Sequence, residues 1–227
     1  MSQIARNLEE VRNRIEAAAR RAGRDPAAVK LVAVSKTVDP ERIRDALAAG
    51  QKIFGENYLQ EARGKIEALG PGAQWHFIGH LQTNKAKAAV ALFRLIHSVD
   101  RVHLAQALEK AAAQTGKVQE ILLEVNLGGE ETKSGAPPQA VAELLQEAAL
   151  LPHLRVQGLM TMPPWLADPE AARPYFRGLR ELRDRLLKLA ICPLPELSMG
   201  MSGDFETAIE EGATLVRVGT AIFGRRT

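Results

Sequence analysis

The chain has a single cysteine in 227 residues, Cys192. An internal disulfide is therefore excluded, and a lone thiol between Ile191 and Pro193 suits a reducing compartment and an inert, partly buried role. Aromatic residues are scarce, with six Phe, two Trp and two Tyr. With so few rings an aromatic base-stacking platform is not expected. Charge of one sign is nowhere concentrated: 30 Lys and Arg face 27 Asp and Glu, for a net charge of +3. The basic residues are dispersed rather than gathered into a nucleic-acid footprint. No apolar run approaches the ~20 residues that span a bilayer, and Met1-Ser2-Gln3-Ile4-Ala5-Arg6 has no signal-peptide core. A cytoplasmic protein is expected.

What is present is an alternation of short apolar segments and amphipathic ones. Ile4, Leu8, Val11, Ile15 and Ala18 recur at helical spacing, which predicts a helix over residues 2–22. Strands are then predicted over 31–34, 52–57, 74–79, 95–99, 120–126, 156–160, 196–199 and 215–218. Helices are expected between them, over 41–49, 59–69, 83–92, 102–115, 138–151, 169–189 and 204–211. Strict β/α alternation implies a parallel sheet covered by helices. Eight such units in a chain of this length favour a single-domain (β/α)8 barrel. A helix after the eighth strand is missing from this count, and the N-terminal helix is expected to pack on the outside of the barrel in its place. No Gly-x-Gly-x-x-Gly turn follows the first strand, which argues against a dinucleotide fold.

The chain is organised around Leu31-Val32-Ala33-Val34-Ser35-Lys36-Thr37. The Val-rich run reads as a strand buried on both faces, and Lys36 falls where it ends. Asp39 and Pro40 follow as N-cap and first helical residue. Partial desolvation at a strand end can lower a lysine pKa and make the amine a usable nucleophile. Taken alone, though, Lys36 better suits a side chain that snorkels from the strand end into water, and only the rest of the chain overturns that. Barrel chemistry sits at the C-terminal strand ends, often with a phosphate held by the loops after strands seven and eight. Those loops read Ser198-Met199-Gly200-Met201-Ser202-Gly203-Asp204 and Arg217-Val218-Gly219-Thr220-Ala221. Both combine glycine, which allows close backbone approach, with a hydroxyl donor. Taken alone, Ser202 equally suits a cap for the 204–211 helix, and Gly219-Thr220 a tight turn. Barrel closure would set strand eight beside strand one, so an amine and an anion site converge on one mouth, as a phosphorylated aldehyde requires.

Two other patterns carry less. His76 and His80 have metal-ligand spacing on a helix, but on a strand they lie about 13 Å apart and cannot share an ion. Gly128-Gly129-Glu130-Glu131-Thr132-Lys133-Ser134-Gly135 lacks the glycine before lysine that a P-loop needs, and is expected to be a solvated loop over the mouth.

Six motifs together resemble the pyridoxal phosphate homeostasis protein family. They are Ala33-Val34-Ser35-Lys36-Thr37, Phe54-Gly55-Glu56-Asn57-Tyr58, His76 to Gln82, Gly158-Leu159-Met160-Thr161-Met162, Leu197 to Ser202, and Val216 to Gly224. The resemblance covers nearly the whole chain in order. It implies a barrel similar to the N-terminal domain of alanine racemase, binding pyridoxal 5′-phosphate (PLP) as a Schiff base on Lys36. It further implies that Ser202, Gly219 and Thr220 hold the phosphate, with help around Ser198 and Met199. Arg217 would face the pyridine nitrogen, and Asn57 would lie against the ring.

Two functions compete under that resemblance: a non-catalytic carrier that buffers and delivers PLP, and a PLP-dependent amino-acid racemase. An arginine at the pyridine nitrogen weakens the ring as an electron sink, although racemases of this class tolerate one. Racemisation also needs a second acid/base. Tyr58 and Tyr175 are the only tyrosines, neither lies in a motif suited to that role, and the chain ends soon after strand eight. The carrier is the expectation, as a monomer with PLP-requiring apo-enzymes as recipients. A lysine-dependent aldolase without PLP is the third reading.

Overall fold

The computed structural model describes residues 2–130 and 134–224. Eight parallel strands are hydrogen-bonded in sequence order and close into a barrel. They are β1 (Lys30–Val34), β2 (Ile53–Glu56), β3 (Gln74–Phe77), β4 (Leu95–Val99), β5 (Gln119–Val125), β6 (Leu154–Thr161), β7 (Glu196–Ser198) and β8 (Leu215–Val218). Closure is made by β8 on β1, with Lys30 opposite Leu215 and Ala33 opposite Val218. The helices are α1 (Gln3–Arg21), α2 (Pro40–Ala48), α3 (Leu59–Leu69), α4 (Ala86–Leu92), α5 (Val102–Thr115), α6 (Val141–Ala149), α7 (Arg173–Leu187), α8 (Phe205–Glu210) and α9 (Thr220–Phe223).

The helix α1 forms because its apolar positions fall on one face: Ile4, Leu8, Val11, Ile15, Ala18 and Ala19 are all buried. Ser2 caps it by accepting from the Ala5 N–H. It packs against α8, α9 and α2, and so fills the outer ring between the last strand and the first. Three predicted helices open with a separate short 3-10 turn, over Thr83–Lys85, Pro138–Ala140 and Pro169–Ala172. In the last two a proline sets the first φ but cannot donate to a ladder. Two elements lie where none is predicted, the first a 3-10 turn over Pro26–Ala28 before β1. Beyond β8, where a simple tail is predicted, the chain makes the one-turn helix α9. Its end is held by the Asn7 side chain, which donates to Ile222 O at 2.8 Å, and by Arg42, which donates to Phe223 O. Residues 225–227 of that tail lie outside the described residues.

Inward-facing side chains fill the barrel in layers. Val32, Leu95, Leu122, Met160 and Leu215 form an apolar plug. At the N-terminal end, Lys30 pairs with Glu196, and Gln157 donates to Glu120 at 3.1 Å. Towards the C-terminal end the interior turns polar, and the candidate site lies there. Among the described residues no helix is long and apolar enough to cross a membrane.

Candidate functional site

The strand β1 stops at Val34, and Lys36 stands two residues further, on a turn that closes when the Val38 N–H donates to Ser35 O at 3.0 Å. Lys36 is half-buried. The next residue, Thr37, has φ 62°, a left-handed conformation that a β-branched residue rarely adopts. Beneath the turn is a buried polar cluster. The Ser35 hydroxyl donates to Glu56 Oε1 at 2.7 Å, and the Lys65 ammonium donates to the same oxygen at 2.8 Å. Glu56 and Lys65 are almost wholly withdrawn from water. Burial raises the Glu56 pKa, and the bonds from Lys65 and Ser35 oppose the rise. Asp39 occupies the N-cap of α2 in extended conformation, but its side chain makes no capping hydrogen bond. Pro40 opens the helix as predicted.

The loops after β7 and β8 meet across one hydroxyl. Ser202 Oγ accepts from the Gly219 N–H at 3.2 Å and the Ala221 N–H at 3.4 Å. The residue therefore joins the two loops and does not cap α8, whose N-cap is Asp204. The Asp204 carboxylate instead accepts from the Met201 N–H at 2.6 Å. Gly219 packs closely on β1: a Cβ there would sit 3.3 Å from both Val34 Cβ and Val34 O, a tight contact. That approach sets the β8 loop against the end of β1, two residues before Lys36. Thr220 is exposed at the start of α9.

Of the predicted pair Ser198 and Met199, the structure separates the roles. Successive residues of a strand face opposite sides. Met199 is fully buried in the hydrophobic core, and its side chain serves packing. Ser198 faces inward and is engaged below the mouth, where its hydroxyl lies 2.6 Å from Arg217 Nη1 and 2.9 Å from His97 Nδ1. Arg217 is buried and also donates to Thr161 O at 3.0 Å. Burial lowers its pKa to about 10, with Glu124 and Asp204 opposing the fall, so it stays charged at neutral pH.

This floor extends to residues the sequence reading did not assign. His97 Nε2 lies 3.0 Å from His76 Nδ1. Burial pushes the His76 pKa down to about 3 and the His97 pKa well below its ordinary value, so both rings are neutral. Arg217 donates to Ser198, and with both rings neutral each Ser198–His97–His76 link has one proton, its direction set by the tautomers. Glu124 completes the floor. Burial, then the charge of Asp100, raises its pKa to about 7, with Arg217 pulling the other way. Its Oε2 has no hydrogen-bond partner. His76, His97 and Glu124 lie on consecutive strands, and their period-2 register with inward apolar neighbours was the one signal available in the sequence.

Asn57 follows β2, and its buried Oδ1 has no partner. The backbone of the next strand end crowds it, for a Cβ on Gly79 would be 2.4 Å from Asn57 O. His76 and His80 point to different partners, His97 and Ser134. The centre of the loop predicted over the mouth, residues 131–133, lies outside the described residues.

The structure thus brings together Lys36, Asn57, Arg217, Ser202 and Gly219 at one barrel end. The Gly219 and Ala221 N–H groups, both donating to Ser202 Oγ, converge there, Arg217 supplies a buried positive charge, and the Asn57 side-chain oxygen is an acceptor without a partner. These groups fit a phosphorylated ring whose aldehyde lies near a lysine.

Comparisons agree with the geometry. The family model for the alanine racemase N-terminal domain matches residues 6–227. The pyridoxal phosphate homeostasis protein of Aquifex aeolicus is 53% identical over 220 residues, 96% of each chain. That of Escherichia coli K12 is 41% identical over 235 residues, covering 100% of this chain and 98% of the relative. The solved structure of PipY from Synechococcus elongatus PCC7942 with PLP bound superposes with a TM-score of 0.86 at 37% identity, over 97% of this chain and 100% of that one. Alanine racemase from Corynebacterium glutamicum shares the fold, with a TM-score of 0.70 at 20% identity over 99% of this chain and 60% of the other. By both measures the chain belongs to the alanine racemase N-terminal domain family, among the pyridoxal phosphate homeostasis proteins.

Proposed function

We propose that this chain holds pyridoxal 5′-phosphate at the barrel mouth and acts as a carrier that buffers the cofactor and delivers it to PLP-requiring apo-enzymes. The observation that carries this reading is the close approach of the Ser202–Gly219 loop junction to Val34, the end of β1 two residues before Lys36, in a chain whose relatives are named for PLP homeostasis. When bound, PLP supplies an aldehyde that condenses with a primary amine and a pyridine ring that withdraws electrons. In this chain Lys36 supplies the amine. Ser202, Gly219 and Thr220 bind the phosphate, whereas the Ser198 hydroxyl is engaged by Arg217 and His97 and the Met199 N–H by Leu215 O. Asn57 lies beside the ring and Arg217 faces its nitrogen.

Arg217 supports a carrier over a racemase-like catalyst. Its guanidinium keeps its charge and is held by Ser198 and Thr161, so a proton on the facing ring nitrogen is disfavoured. Tyr58 is 60% exposed and Tyr175 sits in α7, so neither belongs to the polar floor beneath the mouth. A monomer acting in the cytoplasm completes the reading.

The test is the visible spectrum of purified protein incubated with PLP, then borohydride reduction and peptide mass analysis. A yellow protein with the reduced pyridoxyl group on Lys36 is expected. Lys36→Ala should lose the adduct without loss of fold, and amino-acid racemisation should be absent. A colourless protein, or an adduct on another lysine, would overturn the assignment.

A further inference from the structure

Lys65, in the buried cluster beneath the Lys36 turn, is given no contact with the cofactor, yet a buried lysine is rare and its bonds all run to one place. It lies in α3, 5% exposed. Its three ammonium protons have three acceptors: Ser35 O, Glu56 Oε1 and a Glu61 carboxylate oxygen. Ser35 is the residue before Lys36. Glu56 also accepts from the Ser35 hydroxyl, so Ser35 is held twice. Glu61 also accepts from the Thr37 N–H, and Thr37 is the residue after Lys36. One buried ammonium therefore grips the backbone on both sides of Lys36, directly on one side and through Glu61 on the other.

The conformation so held is not one the local sequence favours. Thr37 at φ 62° stands where glycine or asparagine is the ordinary choice. A non-glycine residue persists there only when its surroundings over-determine it. A buried ion cluster is a poor general stabiliser but a specific one, because displacing either partner strands a charge out of water. Its bonds end on the turn itself, and the outlier lies in the same turn.

We propose that Lys65, acting with Glu56 and Glu61, is a positioning residue that locks the Ser35–Val38 turn and so presents the Lys36 amine at the barrel mouth. The inference rests on the reading of Lys36 as the cofactor lysine, and its test separates the two. Lys65→Met and Glu61→Gln are compared with the unaltered protein in three measurements: the rate at which the Lys36 adduct forms with PLP, the affinity for pyridoxine 5′-phosphate, and amide exchange at Thr37 and Val38 in ligand-free protein. Pyridoxine 5′-phosphate keeps the phosphate and ring but has no aldehyde, so it reads the rest of the site alone.

Lys65→Met is expected to slow adduct formation at least tenfold and to speed exchange at Thr37 and Val38, with pyridoxine 5′-phosphate affinity within twofold of the unaltered protein. Glu61→Gln leaves the Lys65–Glu56 pair in place and should slow the adduct less. It decides the matter alone if Lys65→Met does not fold. Unchanged adduct rates with unchanged exchange would overturn the clamp, as would equal losses for PLP and pyridoxine 5′-phosphate. If the unaltered protein forms no Lys36 adduct, the cofactor reading fails, and the turn lock is judged on the exchange data alone.

Discussion

Glu124 is a carboxyl group in the barrel interior with one oxygen unpartnered and a pKa held near 7 by burial and by Asp100. In the unfolded chain it ionises at its ordinary value of 4.5. The folded state therefore keeps the proton longer, and the stability this provides is present below pH 4.5 and lost as pH rises towards 7. Glutamine at this position has no proton to lose. Urea unfolding of ligand-free protein at pH 5 to 8 should show Glu124→Gln gaining on the natural chain as pH rises, by up to about 3 kcal/mol. A gap that stays constant across that range would show that Glu124 does not titrate there. In sequence, Glu124 looks like any charged residue at a strand end. Lys36 could be picked out only together with the rest of the chain, from the two hydroxyl-glycine loops expected at the same mouth and from the motif around it. Glu124, His76 and His97 acquire their character only from burial, and burial comes from closure of the sheet.

At the scale of elements, site positions depend on how closely strand ends approach. A Cβ on Gly79 would meet Asn57 O at 2.4 Å and Asn57 Cα at 2.8 Å, so the chain after β3 can lie against the end of β2 only with glycine there. Gly79→Ala must move Asn57, because backbone atoms cannot turn aside as a side chain can. A stability loss of about 1–3 kcal/mol is expected, with PLP affinity falling about tenfold as Asn57 leaves the ring. Gly64→Ala is the control. It lies in α3 with nothing near its Cβ and should be neutral or slightly stabilising. If Gly79→Ala binds PLP as tightly as Gly64→Ala, Asn57 has no role at the ring. Most elements were legible from periodicity, and α3, β4, α5 and β8 have the predicted bounds. The helix α9 was not, because four residues are too few to show a period. Its stability comes from Asn7 and Arg42, far away in sequence.

For the whole molecule, β8 pairing with β1 closes the barrel and α1 packs over the elements beside that closure. The helix bridges the last and first parts of the barrel through Leu8, which is fully buried, through Asn7 on Ile222 O, and through Arg14, whose guanidinium lies 4.6 Å from the Phe205 ring centroid and pairs with Glu206. Phe205 and Glu206 begin α8, directly after the loop that carries Ser202. Leu8→Ala should cost about 2–4 kcal/mol by chemical denaturation, through lost burial and a residual cavity. Because the mouth is built on the strands, the spectrum of the PLP-loaded variant should match that of the natural chain. A changed spectrum would mean that α1 reaches the site through α8.

Composition and periodicity by themselves determined that this chain is an alternating α/β barrel with an amine and a hydroxyl-glycine pair at one end, since those signals are local and each residue carries its own. The resemblance of six motifs added the ligand. What only tertiary structure decided was which polar side chains share the interior. Parallel strands of a closed barrel bring residues a hundred positions apart, such as His97 and Ser198, to 2.9 Å. Likewise, Ser202 became the junction of two loops and not a helix cap, because β8 pairs with β7 and so sets the Gly219 and Ala221 N–H groups against the hydroxyl. Partners across a barrel are set by closure and register, and neither is written in any single segment.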